Sequence, residues 1–307
     1  MGLFVDILMR VTLPIVALVA LGYALQGKLK LDVGSLNRIQ VFVVLPAFLL
    51  HHLSTARQPI GAVAQTISFT LLQFALLILV GFVAAAAFRL ARSYWPVMAM
   101  ATVYANVGFF GIPLVELAFP PEFILHQSVI TSLMTILIVT VGVWMLAPQD
   151  ASASLFARFR QAFDTPVIPA VIAGLLLRGF EVQLPPVAGT PIEMLGRIFT
   201  PLALYTLGAQ LRDGSEGELQ TGPLTLVLAL KLLVAPALTW GLAILMGLPK
   251  DLTALLVVAA ATPVGVLLGV FCSEFRREPR FVSSAILIST ALSPIVVTGW
   301  ILLMRIV

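Results

Sequence analysis

The chain has 307 residues, 60% of them hydrophobic and only 10% charged, with a mean hydropathy of +1.07. Soluble domains run about 45–50% apolar and about 25% charged, so no soluble fold of this length could hide so much apolar side chain from water. The net charge of +4 comes from basic residues scattered in ones to threes, which excludes a nucleic-acid surface, and the single cysteine, Cys272, excludes an internal disulfide.

Taken in order, the chain holds ten apolar runs, at about 4–26, 35–55, 62–89, 94–119, 122–146, 165–180, 190–211, 221–247, 251–274 and 280–304. A spanning helix needs roughly 20 residues, and the alternating segments of roughly 10 residues that mark a barrel are absent. The expectation is an all-α integral membrane protein with ten transmembrane helices. The first run has an acid, Asp6, at its start and neither a basic segment nor a small-residue cleavage site, so it reads as a retained helix. Asp6 and Arg10 stand i,i+4, the spacing of a local ion pair. Short connections are punctuated by Gly27, Pro59-Ile60-Gly61, Pro120-Pro121, Pro185-Pro186, Asp213-Gly214 and Gly247-Leu248-Pro249. Gly22, Gly174, Gly208, Gly241 and Gly269, with Ala84 to Ala87, fit close helix packing.

The fourth run has its midpoint between Asn106 and Val107, inside the stretch Asn106-Val107-Gly108-Phe109-Phe110-Gly111-Ile112-Pro113. Two glycines lower helix propensity there, and Pro113 is expected to free the carbonyl near position 109. Unpaired backbone groups in hydrocarbon cost several kcal/mol each, so such a break survives only beside protein packing or a water-filled cavity. The ninth run repeats the anomaly at its own midpoint, in Thr262-Pro263-Val264-Gly265. Matched midplane breaks point to a transporter with internal repeats.

The same marks recur at a near-constant offset: Pro14 and Pro169 are 155 apart, Pro46 and Pro201 also 155, Val107-Gly108 and Val264-Gly265 157, and Trp144 and Trp300 156. They favour a duplicated five-helix unit, with residues 1–147 and 165–307 as the two repeats and 148–164 as a cytoplasmic linker. Because five is odd, the repeats are inverted. Loops after odd-numbered helices hold eleven basic residues against six on the other side, so the odd loops are predicted to be cytoplasmic and both termini extracytoplasmic.

Asn106 at the midplane offers donors and an acceptor without a fixed charge, and freed N–H groups at a half-helix N-terminus add positive partial charge. The alternative for Asn106 is a bond to a neighbouring helix beside a proline kink. Lys231 lies about three residues from the middle of the eighth run, where a lysine costs about 2.5–3.5 kcal/mol on insertion scales. It reads either as a fixed cation facing the crossing, attracting an anion or standing in for a coupling cation, or as a snorkelling side chain. Glu116 could carry a proton or simply reach the interface. His51, His52 and His126 fall near membrane boundaries and do not form a zinc set. No G-x-S-x-G elbow, H-E-x-x-H helix or Walker loop is present, which argues against an enzyme or an ATP-driven pump.

The NVGFFGIP and ATPVG breaks, the run Ser283 to Thr290, and Leu13-Pro14, Gly22-Tyr23 and Leu45-Pro46 resemble the bacterial branch of the auxin efflux carrier family, over about residues 4–305. The resemblance implies two inverted five-helix repeats with broken, crossing helices four and nine. Helices one, two, six and seven would form a scaffold that often dimerises, and helices three to five and eight to ten a mobile transport domain. It implies organic-anion substrates such as indole acetate or malonate, and a site at Asn106, Pro113 and Pro263. A polar residue, often Asn, is expected near position 267, where this chain has Leu267-Leu268; that departure tells against a sodium site.

The resulting expectation is a secondary active or facilitative carrier of a small organic anion, working by an elevator mechanism in a bacterial inner membrane. Its substrate would meet Asn106, Val107, Gly108, Gly111, Pro113, Thr262, Pro263, Val264, Gly265 and Lys231, with Glu116 as a proton-coupling candidate and no metal or cofactor. The coupling ion would be a proton rather than sodium, and the assembly a homodimer. Alternatives are a sodium-coupled symporter of the bile-acid type and a non-transporting membrane sensor.

Overall fold

The computed structural model describes residues 5, 7–55, 60–146, 166–213 and 221–306. Asp6 and the expected linker at 148–164 lie outside them. The described residues are helical, with one isolated β-bridge. In chain order the helices are α1 (Leu8–Leu29), α2 (Val33–Thr55), α3 (Ile60–Ala87), α4 (Tyr94–Val103), α5 (Gly111–Ala118), α6 (Phe123–Leu146) and α7 (Val167–Gly179). They continue as α8 (Pro186–Arg197), α9 (Phe199–Asp213), α10 (Thr221–Leu245), α11 (Lys250–Ala260), α12 (Val266–Glu274) and α13 (Pro279–Ile306). Six of them, α1, α2, α3, α6, α10 and α13, are long and apolar enough to cross a membrane.

The remaining apolar runs are divided or short. The fourth run is α4 and α5, the ninth is α11 and α12, and the sixth is the 13-residue α7. The seventh, expected as one helix, is broken at Ile198 between α8 and α9. Gly196 lies there against the backbone of Phe48, with no room for a Cβ within 3.1 Å of that residue's Cα.

Three prolines inside long helices are absorbed by widened turns. Pro14, Pro46 and Pro236 each follow a five-residue π-turn, and the residue before each proline donates to the carbonyl five back: Leu13 to Leu8, Leu45 to Gln40, and Ala235 to Leu230. The wider turn relieves the clash between the ring and the carbonyl four residues earlier. Pro191 and Pro294 stand inside α8 and α13 without such a turn, and others sit where no N–H is needed. Pro113, Pro169 and Pro201 all fall in the first turn of a helix. Pro113 therefore sits in the first turn of a half-helix and does not kink a continuous one, and the Phe109 carbonyl, which position 113 cannot reach with an N–H, accepts no backbone bond among the described residues.

Small residues bring the helices together. A Cβ on Gly22 would lie 1.9 Å from the Tyr205 carbonyl oxygen, and one on Gly208 1.9 Å from that of Val19, so α1 and α9 touch backbone to backbone. Gly174 similarly abuts Leu53, whereas Gly241 faces open space and plays no such part. Packing gathers α1 with α9 and α2 with α7 and α8; α3 packs on α4 and α6, and α10 on α11.

Candidate functional site

The two breaks meet. Asn106 N–H donates to the Pro263 carbonyl at 2.8 Å, and Gly265 N–H donates to the Tyr104 carbonyl at 2.9 Å. These bonds form an antiparallel bridge between Ala105 and Val264. Four backbone groups that a helix would have used internally are thus satisfied by the opposite break. Gly265 makes the approach possible, since a Cβ there would lie 2.4 Å from the Tyr104 ring.

Side chains from helices later in the sequence hold each break open. Gln127 on α6 donates through Nε2 to the Val107 carbonyl at 2.6 Å, and Thr131 Oγ1, one turn on, donates to the same oxygen at 3.1 Å. Gly111 leaves space for that amide: a Cβ there would meet Gln127 Nε2 at 2.6 Å. At the second break, Ser289 on α13 accepts from Val264 N–H at 3.1 Å and donates to the Ile286 carbonyl. Sequence reading missed Gln127 and Thr131 as parts of the site. A signal was available, in a glutamine and a threonine spaced i,i+4 on an apolar helix directly after the break.

Several donors remain unused. Asn106 is 4% exposed and its Nδ2 has no partner among the described residues. The N–H groups of Gly108 and Phe109 before α5, and of Val266 and Leu267 opening α12, likewise donate to nothing among the described residues. All five residues line one cavity of about 280 Å³. Its other polar walls are Tyr104, Thr131 and Thr135; the rest is apolar, from Val41 and Leu45 of α2, Val139 of α6, Val167 of α7 and Phe271 of α12. No charged side chain among the described residues lines it. Such a concave, mostly apolar space with unused donors on its lining residues is the ordinary form of a small-ligand site, and the half-helix N-termini beside it suit an anion.

Of the expected site residues, Asn106, Val107, Gly108 and Gly265 line the cavity. Gly111, Pro113, Pro263 and Val264 are buried behind it, and Thr262 Oγ1 donates to the Ala259 carbonyl as part of the helix end. Lys231 stands apart from the lining. It is fully buried in the π-turn of α10, which packs against α4 and α13, and its Nζ has no partner among the described residues. The neighbouring Leu232 carbonyl accepts from Trp300 Nε1 at 3.0 Å. Glu116, also outside the cavity, accepts a hydrogen bond from Thr200 Oγ1 of α9. Position 267, where an amide was expected, is a leucine that lines the cavity directly. His126 Nδ1 lies 2.7 Å from Thr66 Oγ1, and His52 packs on Phe48, away from the cavity.

No curated protein matches the chain. Residues 7–301 match the family described as membrane transport protein. The match takes in both breaks and every helix named above except the last turn of α13, and the chain belongs to that family of membrane transporters, the family of the auxin efflux carriers.

Proposed function

We infer that the protein is a secondary transporter of a small organic anion that carries one carboxylate and an apolar body. The observation that supports this reading is the set of five unused donors, Asn106 Nδ2 and four backbone N–H groups, on residues lining one cavity at the bridge between the breaks. One carboxylate matches that donor cluster. A second carboxylate would find only Val, Leu and Phe side chains along the rest of the wall, so an aromatic or aliphatic monocarboxylate fits better than a dicarboxylate. A volume of about 280 Å³ stands at the lower edge of the roughly 300–1,000 Å³ usual for ligand pockets, which favours a small ligand.

In this reading α1, α2 and α7–α9 are the scaffold, and α3–α6 with α10–α13 are the moving body. Ten crossings arise when α4 with α5, α8 with α9, and α11 with α12 each count as one, and the two inverted halves supply one break apiece. The cavity reaches Val167 at the start of α7 and Phe271 in α12, both on the side with more basic loops, and so opens to the cytoplasm. Leu267, standing where an amide was expected, gives the cavity wall no side-chain oxygen for sodium there. The test is flux into proteoliposomes. A panel of small carboxylates identifies the substrate by thermal stabilisation, and Asn106→Leu is then expected to lower its uptake at least tenfold, about 1.4 kcal/mol. Unchanged uptake by Asn106→Leu removes the site from the mechanism, and preferential stabilisation by dicarboxylates removes the substrate class.

A further inference from the structure

A second cavity, of about 260 Å³, lies on the other side of the first break. It is walled by Ile15, Val19 and Tyr23 of α1, by Phe110 of the break, and by Leu287 and Pro294 of α13. Its surroundings face the bilayer: Leu292 and Ile295, beside the wall residues of α13, are 40% and 67% exposed. An apolar void open to lipid is filled by hydrocarbon, because empty walls lose their dispersion contacts. At one end the lining is different. Tyr23 is 37% exposed there, and the Arg212 guanidinium sits 5.0 Å from the centre of its ring. Lys28 and Lys30 follow on the same end of α1, both exposed.

We propose that this cavity is a binding site for an anionic glycerophospholipid, with one acyl chain between α1 and α13 and the phosphate at the lip formed by Tyr23 and Arg212. The apolar depth matches the chain, the aromatic rim matches the glycerol level, where Tyr is favoured in membranes, and the basic lip matches the headgroup. The chain rests on Phe110, next to Phe109 of the substrate cavity. A lipid there sits between the helices of the two bodies and against the break itself. The site requires only that the protein be membrane-embedded, and stands whether or not the substrate reading does.

The full-length protein, delipidated in mild detergent, is titrated with phosphatidylglycerol and with phosphatidylcholine of the same chains and read by native mass spectrometry. Phosphatidylglycerol is expected to be retained about fivefold better, the gain from one basic group near an anionic headgroup. Arg212→Gln removes that preference. Ala291→Phe, which fills the cavity from its α13 wall, lowers retention of both lipids, and Thr290→Val leaves retention unchanged because a hydrocarbon chain makes no use of the hydroxyl there. Equal retention of the two lipids by the unaltered protein overturns the proposal, as does an undiminished preference in Arg212→Gln, which decides the matter alone if Ala291→Phe does not fold. Loss of lipid in Thr290→Val assigns the cavity to a small polar ligand instead, and displacement of phosphatidylglycerol by equimolar oleate assigns it to free fatty acids.

Discussion

Gly265 and Gly108 share a repeat offset in the sequence, yet their surroundings differ. A methyl on Gly265 would lie 2.4 Å from the Tyr104 ring and 3.1 Å from the Ala105 carbonyl oxygen, whereas one on Gly108 meets only Thr131 Cγ2 at an ordinary 3.5 Å. Gly265→Ala is therefore expected to destabilise by about 1–3 kcal/mol, the usual cost of overpacking, and to abolish uptake by forcing the bridge apart; Gly108→Ala should keep the melting temperature and narrow the cavity by one methyl. Thermal melts and initial uptake rates on the pair check this. Lys231 poses the opposite case, a charge buried at 0% exposure with no partner among the described residues. Because an intramembrane lysine costs about 2.5–3.5 kcal/mol on insertion scales, Lys231→Met is expected to raise the melting temperature. If the ammonium serves transport, flux falls in the same variant; a more stable protein with full flux would leave the lysine without a role in the cycle.

At the scale of the element, the chain solves the same problem in two ways. Where Pro14, Pro46 and Pro236 interrupt a helix that must continue, one wider turn restores the hydrogen bonding. Where the helix must stop, as at Asn106 and Pro263, the freed groups go to another element. The first solution is local and the second needs a partner, which is why only the second makes a site. The start of α2 uses an ordinary side-chain cap. Asp32 accepts from Gly34 N–H at 3.0 Å and from Ser35 Oγ at 2.6 Å to begin α2. The Ser35 hydroxyl first, then the Gly34 N–H and the Arg38 charge, hold its carboxyl below the usual 3.8. A depressed carboxylate stabilises the fold above its unfolded-state value and loses that contribution as pH falls through the folded one. Asp32→Ala should therefore melt below the parent at neutral pH, and the two melting curves should converge as pH drops beneath the ordinary carboxylate range. A gap that persists in acid would mean that the cap acts through shape rather than charge.

At the scale of the molecule, the proposed scaffold and moving body also touch on the side away from the cavity mouth. Phe109 of the break stacks on Phe199 of α9 at 6.3 Å, Phe199 packs on Phe48 at 5.1 Å, and Thr200 donates to Glu116. A separate apolar cluster, including Ile7, Phe110, Leu114, Leu207 and Val297, lies along the same boundary. If these contacts hold the cavity open to one side, Phe199→Ala with Thr200→Val weakens that state. In a Cys272→Ser background, a cysteine at Val139 should then react more slowly with a membrane-impermeant thiol reagent in inside-out vesicles than it does with the contacts intact. Equal or faster labelling would show that the boundary does not set the resting state.

Composition alone determined that the chain lives in lipid, because no water-soluble arrangement of 307 residues could bury so much apolar surface. The two interruptions were legible as well, since glycine, proline and asparagine act on the backbone where they stand. Other marks were ambiguous for the same reason. Pro46 and Pro201 sit at a repeat offset, yet one follows a π-turn within a helix and the other opens a helix. The end of α8 at Ile198 was not legible, and Gly196 beside it packs on the backbone of Phe48 from far along the chain. Only the tertiary structure decided that the breaks bond to one another, that Gln127, Thr131 and Ser289 brace them, and that Lys231 lies outside the cavity wall. Each of those facts joins residues whose separation along the chain says nothing of their distance in space. A break in a helix is written in local chemistry, but the group that answers it is chosen by packing.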